Sequence, residues 1–169
     1  NSSNMDTRNQ VYDDFQRMWH SHKITFSAAH ERTKGRYQRG GTLQLTTGKL
    51  SSRVTSQGSD TMGRFCWQRL HMSNTKQITI ITAYRVCQEQ SESAGPTSAY
   101  WQQWRALTTM GQVKPNPRKT FLHDLGTFID KQQAEGDEIL LQLDANTVIT
   151  NQAWTAFLER RHLVDLHGI

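Results

Sequence analysis

The residue pattern of this chain changes character near residue 85, and that change restricts what the chain can fold into. From Gly40 to Tyr84, short apolar and β-branched runs alternate with turn signals, the pattern of antiparallel strands. Thr42–Thr46 and Ser52–Ser56 read as strands either side of a Thr47-Gly48-Lys49 turn. A turn at Gln57-Gly58-Ser59-Asp60 then leads to strands at Arg64–Met72 and Gln77–Ala83, joined by the hairpin-like loop Ser73-Asn74-Thr75-Lys76. Beyond a polar loop over 85–95 the spacing becomes helical. Thr97–Met110 puts Tyr100, Trp104 and Leu107 on one face, and Arg118–Ala134 carries Phe121, Leu122, Leu125, Phe128 and Ile129 as its apolar stripe. Pro115 and Pro117 separate these helices, Gly136 ends the second, and the apolar strand Ile139–Leu143 follows. A helix at 6–19 with Asp6 as its N-cap and Val11, Phe15, Met18 and Trp19 on one face, a strand at 22–28 and a helix at Gln152–Arg161 complete the reading. Antiparallel strands, then helices, then a strand favour an α/β or α+β sandwich in which helices cover sheets.

Length and composition set the remaining bounds. The 169 residues suit one domain, and hydrophobic residues make up 35%. Five Trp, six Phe and four Tyr supply bulk for a core in an otherwise polar chain. A net charge of +5 and a pI of 9.5 favour anionic partners, nucleic acid among them. Cys66 and Cys87 form no CxxC pair, which speaks against a disulfide scaffold or a structural zinc site and for a reducing intracellular compartment, nuclear or cytoplasmic. No run approaches the ~18 apolar residues of a transmembrane helix, and no signal peptide opens the chain, so a membrane is not an expected partner. The start at Asn1, without Met, is expected of a processed, trimmed or incomplete product.

The segment Glu138–Asn146 is an apolar run that closes in an Asp-x-Asn pair, Asp144 and Asn146. Such a run suits a buried strand that delivers a carboxylate and an amide to the carboxyl edge of a sheet, where α/β proteins place their chemistry. Residues i and i+2 share a face of a strand, so both could meet one ligand. An Asp can orient or deprotonate water, and an Asn can hold a phosphate oxygen through its NH₂ group. The competing reading is a plain strand end that caps a following helix.

Three pieces gain weight together. Gly40-Gly41-Thr42 opens a strand and is followed by Asp60-Thr61-Met62-Gly63-Arg64; a strand closes in Thr82-Ala83-Tyr84; Leu143-Asp144-Ala145-Asn146 comes after two helices that include Gln103-Trp104-Arg105. This order resembles the endonuclease/exonuclease/phosphatase superfamily, the group of DNase I, apurinic/apyrimidinic endonucleases and retrotransposon endonuclease domains. Ile81-Thr82-Ala83-Tyr84-Arg85-Val86-Cys87-Gln88, with Gly95-Pro96-Thr97 and Pro117-Arg118, looks like a divergent branch found in retroelement-type reading frames of protists. The resemblance covers roughly residues 36–167.

It implies an α/β two-sheet sandwich flanked by helices, DNase I-like, with residues 1–169 as a partial domain incomplete at both ends. It implies that Asp144 aligns or activates the attacking water, that Asn146 holds the scissile phosphate, and that Tyr84 contacts that phosphate through its hydroxyl. The family Tyr is commonly followed by Pro and Asn; here Arg85-Val86-Cys87 follows, so Arg85 is a candidate substrate-binding residue. Mg²⁺ is the cofactor the family implies, with its ligands in this chain unknown. The family's early metal-binding Glu has no counterpart at Asn1-Ser2-Ser3-Asn4, and the closing Ile-Asp and Ser-Asp-His motifs are absent; Asp165-Leu166-His167 is no substitute. The expectation is a Mg²⁺-dependent phosphodiesterase or endonuclease-type domain acting on nucleic acid, DNA ahead of RNA, inactive as this fragment unless a complementary chain supplies the ends. The rival readings are a non-catalytic nucleic-acid-binding or structural subunit, and a phosphatase of small molecules.

Other signals carry less. His20-x-His22 lacks an acidic or thiol partner at ligand spacing and reads as solvated surface, as do the scattered His30, His71, His123 and His162. Cys87 has no His partner in sequence that would make it a nucleophile. The basic run Arg32–Arg39 with Tyr37 could track a phosphate backbone or could be solvated charge. Trp101 and Trp104 read as core rather than as a base-stacking platform, and Arg160-Arg161 closes a helix where cations suit the dipole.

Overall fold

The β-branched run Ile78–Ala83 lies at the heart of the fold, in a strand with neighbours on both sides. The computed structural model describes residues 3–29, 40–73, 75–88, 95, 97–148 and 150–166. In chain order these form α1 (Ser3–Met18), β1 (His22–Ser27), β2 (Thr42–Thr47), a 3₁₀ helix (Gly48–Arg53), β3 (Val54–Ser59), β4 (Phe65–Ser73), β5 (Lys76–Tyr84), α2 (Ala99–Thr109), α3 (Pro117–Ala134), β6 (Asp137–Asp144) and α4 (Gln152–Arg160). β1 and β2 pair antiparallel as a small sheet, and the larger sheet runs β3-β4-β5-β6. β3, β4 and β5 are antiparallel neighbours, whereas β6 joins β5 in parallel after the α2–α3 crossover. A parallel partner needs such a crossover, which explains why helices intervene before the last strand.

The two faces of the larger sheet differ in chemistry. One face meets α3 and α4 through Phe65, Ile81, Ala83, Phe121, Leu125, Ile129, Trp154 and Phe157. Phe121, Leu125 and Ile129 recur every fourth residue and are wholly buried, a contribution of about 1.5–3 kcal/mol each. The other face meets the small sheet through amides and hydroxyls. Gln68, 0% exposed, accepts from Thr46 Oγ1 (2.5 Å) and donates through Nε2 to Thr25 Oγ1 (3.0 Å) and to the Lys23 carbonyl (3.2 Å). Thr25 Oγ1 in turn donates to Gln57 Oε1 at 3.0 Å. Buried polar groups are tolerated there because they satisfy one another.

Local chemistry sets the element boundaries. Ser98, Asn116 and Asn151 cap the N-termini of α2, α3 and α4, each accepting from a backbone N–H three residues on, and Pro117 occupies the first turn of α3. Asp137 opens β6 buried, accepting from Arg69 Nη2 (2.5 Å) and from Thr79 Oγ1 (2.6 Å). Asp60 organises the turn before β4: its Oδ1 accepts from the Arg64 N–H (2.8 Å) and from Ser27 Oγ (2.5 Å), and its Oδ2 accepts from Arg64 Nε (2.6 Å). Arg64 also reaches Asp124 on α3 at 2.8 Å, so one turn ties β1, β4 and α3 together.

Four sequence expectations need correction. The strand expected at Ser52–Ser56 starts two residues later, at Val54, because Gly48–Arg53 forms a 3₁₀ helix. Gln57–Ser59 lie within β3 rather than in a turn, because Gln57 and its neighbours pair with Trp67–Arg69. Asp6 lies inside α1, which begins at Ser3, so it is not the cap. On α2 the buried face is Gln102, Gln103, Ala106 and Leu107; Trp101 and Trp104 are half-buried and meet edge to face at 5.6 Å. The basic run 32–39 with Tyr37 lies outside the described residues.

Candidate active site

The parallel β5–β6 ladder brings the candidate residues together. Its last register pair is Tyr84 with Asp144, so the two strands deliver a phenol and a carboxylate side by side at their carboxyl ends. The ladder continues one bond further, from the Arg85 N–H to the Asp144 carbonyl at 2.9 Å. Tyr84 itself donates its N–H to the Arg64 carbonyl at 2.8 Å, which fixes the phenol's strand against the Asp60–Arg64 turn.

Asn146 stands two residues beyond Asp144 with a positive φ of 43°. Asn tolerates this left-handed conformation better than most side chains. Its N–H donates to Asp144 Oδ1 (3.1 Å), and its side-chain Nδ2 donates to the Arg85 carbonyl (2.7 Å). Cys87 Sγ donates to Asn146 Oδ1 at 3.2 Å. The amide also hydrogen-bonds the Tyr84 side chain, and the Asp144 carboxylate is exposed at the edge. The Asp-x-Asn pair does not cap the following helix, since Asn151 caps α4.

Burial, together with Cys87 and Asp144 nearby, pushes the Tyr84 phenol above its ordinary 10.0. Tyr84 is therefore a protonated hydrogen-bond donor throughout the neutral range. Arg85 follows it and leaves the chain on the opposite side of the extended backbone. Its guanidinium is 7% exposed, with Nε and Nη1 buried and unpartnered, and burial followed by the nearby Arg118 charge lowers it to about 10. Arg118 bridges the two loops: Nη1 donates to the Val86 carbonyl (2.5 Å) and Nη2 to the Asn146 carbonyl (2.9 Å).

Tyr84, Asp144 and Asn146 therefore meet at one sheet edge, which Arg85 joins through its backbone while its side chain turns to the other side. Sequence reasoning gave no role to Cys87 or Arg118. The only signal for Arg118 was its place in the Pro117-Arg118 segment, and for Cys87 its place three residues after Tyr84.

Mg²⁺, implied by the family resemblance, fits these residues poorly. Among the described residues no group of three or more His, Cys, Asp or Glu side chains could hold a metal ion, and the edge described above brings one carboxylate, Asp144. His20 is exposed, and His22 is half-buried with Nδ1 3.1 Å from the Trp19 carbonyl.

No family model and no curated protein matches this sequence. By structure the chain is similar to SmcL, with a TM-score of 0.51 and 13% identity over 95% of this chain and 54% of that one. It is similar to beta toxin from Staphylococcus aureus in a form with bound magnesium ions, with a TM-score of 0.51 and 10% identity over 93% of this chain and 53% of that one. A β-hairpin deletion mutant of the same toxin gives 0.50 and 9% over 94% and 56%. The chain spans little more than half the length of these proteins. At such identities the likeness speaks of architecture alone, and the architecture is the helix-flanked, two-sheet α/β arrangement of the DNase I-like fold.

Proposed function

We propose that this chain is a phosphodiesterase-type domain that acts on nucleic acid, DNA ahead of RNA, descended from a retroelement endonuclease, and that alone it binds a phosphodiester without hydrolysing it. The observation that supports this reading best is the register pairing of Tyr84 with Asp144 at the carboxyl ends of β5 and β6, with Asn146 folded back beside them. In this reading the Tyr84 hydroxyl and the Asn146 amide, already hydrogen-bonded to each other, turn their donors to the phosphate oxygens, and the Asp144 carboxylate accepts from a water lined up behind the phosphorus. Donors fixed in advance at a developing charge are the main means of stabilising such a displacement. A single carboxylate leaves the charge neutralisation incomplete, which is why binding without turnover is expected.

Plasmid nicking in the presence of Mg²⁺, with wild type and Asp144→Ala side by side, tests this. Neither protein is expected to nick. Nicking by the wild type alone would show that the chain is active, and equal nicking by both would remove Asp144 from the site. Gel shifts at two salt concentrations test binding: affinity should fall as salt rises, because phosphate contacts release counterions. Tyr84→Phe should weaken binding about tenfold to a hundredfold, the worth of one hydrogen bond to a charged group. The alternative, a non-catalytic nucleic-acid-binding or structural subunit, draws support from the same poor metal fit; it gains if Asp144→Ala and Tyr84→Phe bind as well as wild type.

A further inference from the structure

Arg85 has charge and donors that the folded chain does not use. It is 7% exposed, its Nε and Nη1 are buried without partners, and it forms no ion pair among the described residues. Its cationic neighbour Arg118 is 8% exposed and spends two donors on neutral carbonyls, those of Val86 and Asn146. Arg118 also sits in the first turn of α3, the positive end of an 18-residue helix. Two guanidiniums and a helix N-terminus thus converge beside the strand ends, and neither guanidinium is ion-paired with a carboxylate among the described residues. Buried charge of one sign is costly to keep unless an anion completes it.

We propose that Arg85 and Arg118 form an anion subsite beside the β5–β6 edge that takes a phosphate of two negative charges, the terminal phosphomonoester of a nucleic-acid strand. This rests on the nucleic-acid reading above and narrows it to phosphorylated strand ends. The charge count is the reason: an internal phosphodiester carries one negative charge and leaves one guanidinium uncompensated, whereas a phosphomonoester near neutral pH balances both. Arginine suits the task because its planar group stays charged and directs several donors at phosphate oxygens.

The test compares three labelled duplexes of one sequence, with a 5′-phosphate, a 3′-phosphate or hydroxyl ends, by fluorescence anisotropy at pH 7.5. One of the phosphorylated duplexes should bind about tenfold tighter than the hydroxyl-ended one, an advantage of one charge-assisted contact. That advantage should vanish below about pH 6, where the monoester loses its second charge. Arg85→Met should abolish the difference between phosphorylated and hydroxyl-ended duplexes, whatever it does to their shared affinity; the variant should fold, because it replaces an uncompensated buried charge with an apolar chain. Inorganic phosphate should raise the Tm of the wild type and not that of Arg85→Met. Equal affinity for all three duplexes overturns the proposal, as does an advantage that survives Arg85→Met or pH 5. Salt-dependent binding of all duplexes without a phosphate advantage leaves the nucleic-acid reading standing and removes the subsite. Stabilisation by inorganic phosphate through Arg85, with no duplex bound, keeps the subsite and overturns the nucleic-acid reading.

Discussion

Two cysteines show how surroundings rather than residue type set chemistry. Cys66, 0% exposed on β4, has its thiol pushed up chiefly by burial; Cys87 is exposed and bonded to Asn146. A thiol reagent should modify Cys87 in the folded chain and Cys66 only on unfolding, and equal rates for both would contradict the burial. The raised Cys66 thiol also gives a pH dependence. The folded state keeps that proton after the unfolded chain has lost it, so the stability it contributes is present below pH 9.0 and is lost as pH rises through the folded value. Urea midpoints measured from pH 8 to 10 should fall, and Cys66→Ala should flatten that fall. At this scale Tyr84, Asp144 and Asn146 were legible because each ends a strand or follows one closely. Cys87 and Arg118 were not, because their bonds to Asn146 span 59 and 28 residues, separations on which no local pattern reports.

Among the elements, the Asp60–Arg64 turn and the Gln68 layer make separate demands. Gly63 in that turn has a φ of +72°, and a Cβ there would come within 2.7 Å of the Ala29 backbone. Gly136 after α3 has a similar φ of +88° with nothing within 4 Å. Gly136→Ala should therefore cost only the left-handed strain of about 1–2 kcal/mol, and Gly63→Ala clearly more, as read by urea denaturation. Equal costs would mean that Ala29 yields freely. Gln68→Leu should destabilise the fold by about 2 kcal/mol or more despite its similar size, since it takes the acceptor from Thr46 Oγ1 and a donor from Thr25 Oγ1 and the Lys23 carbonyl. The strands were legible from β-branched runs and the helices from four-residue spacing. The 3₁₀ helix and the length of β3 were not, because Gly58 and Ser59 look like turn residues until Trp67 and Cys66 pair with them.

For the molecule as a whole, the order of patterns announced a sandwich with helices outside, but not the unequal character of its two interfaces. An apolar stripe predicts what α3 buries; nothing in the alternation of β4 predicts that Gln68 would lie at 0% exposure between two sheets. The strand order β3-β4-β5-β6 has a further consequence for behaviour in solution. β6 is the outermost strand among the described residues, and its far side offers N–H and C=O groups in a row. Its apolar residues Ile139, Leu140, Leu141 and Leu143 are only half-buried. A margin of this kind is a template for any extended chain that meets it, a second molecule included. Sedimentation velocity should show association that grows with concentration and that Leu140→Lys suppresses, while a monomer at every concentration would mean the margin is shielded. Colloidal behaviour, as much as the chemistry at the carboxyl ends, thus follows from where the last strand was laid down.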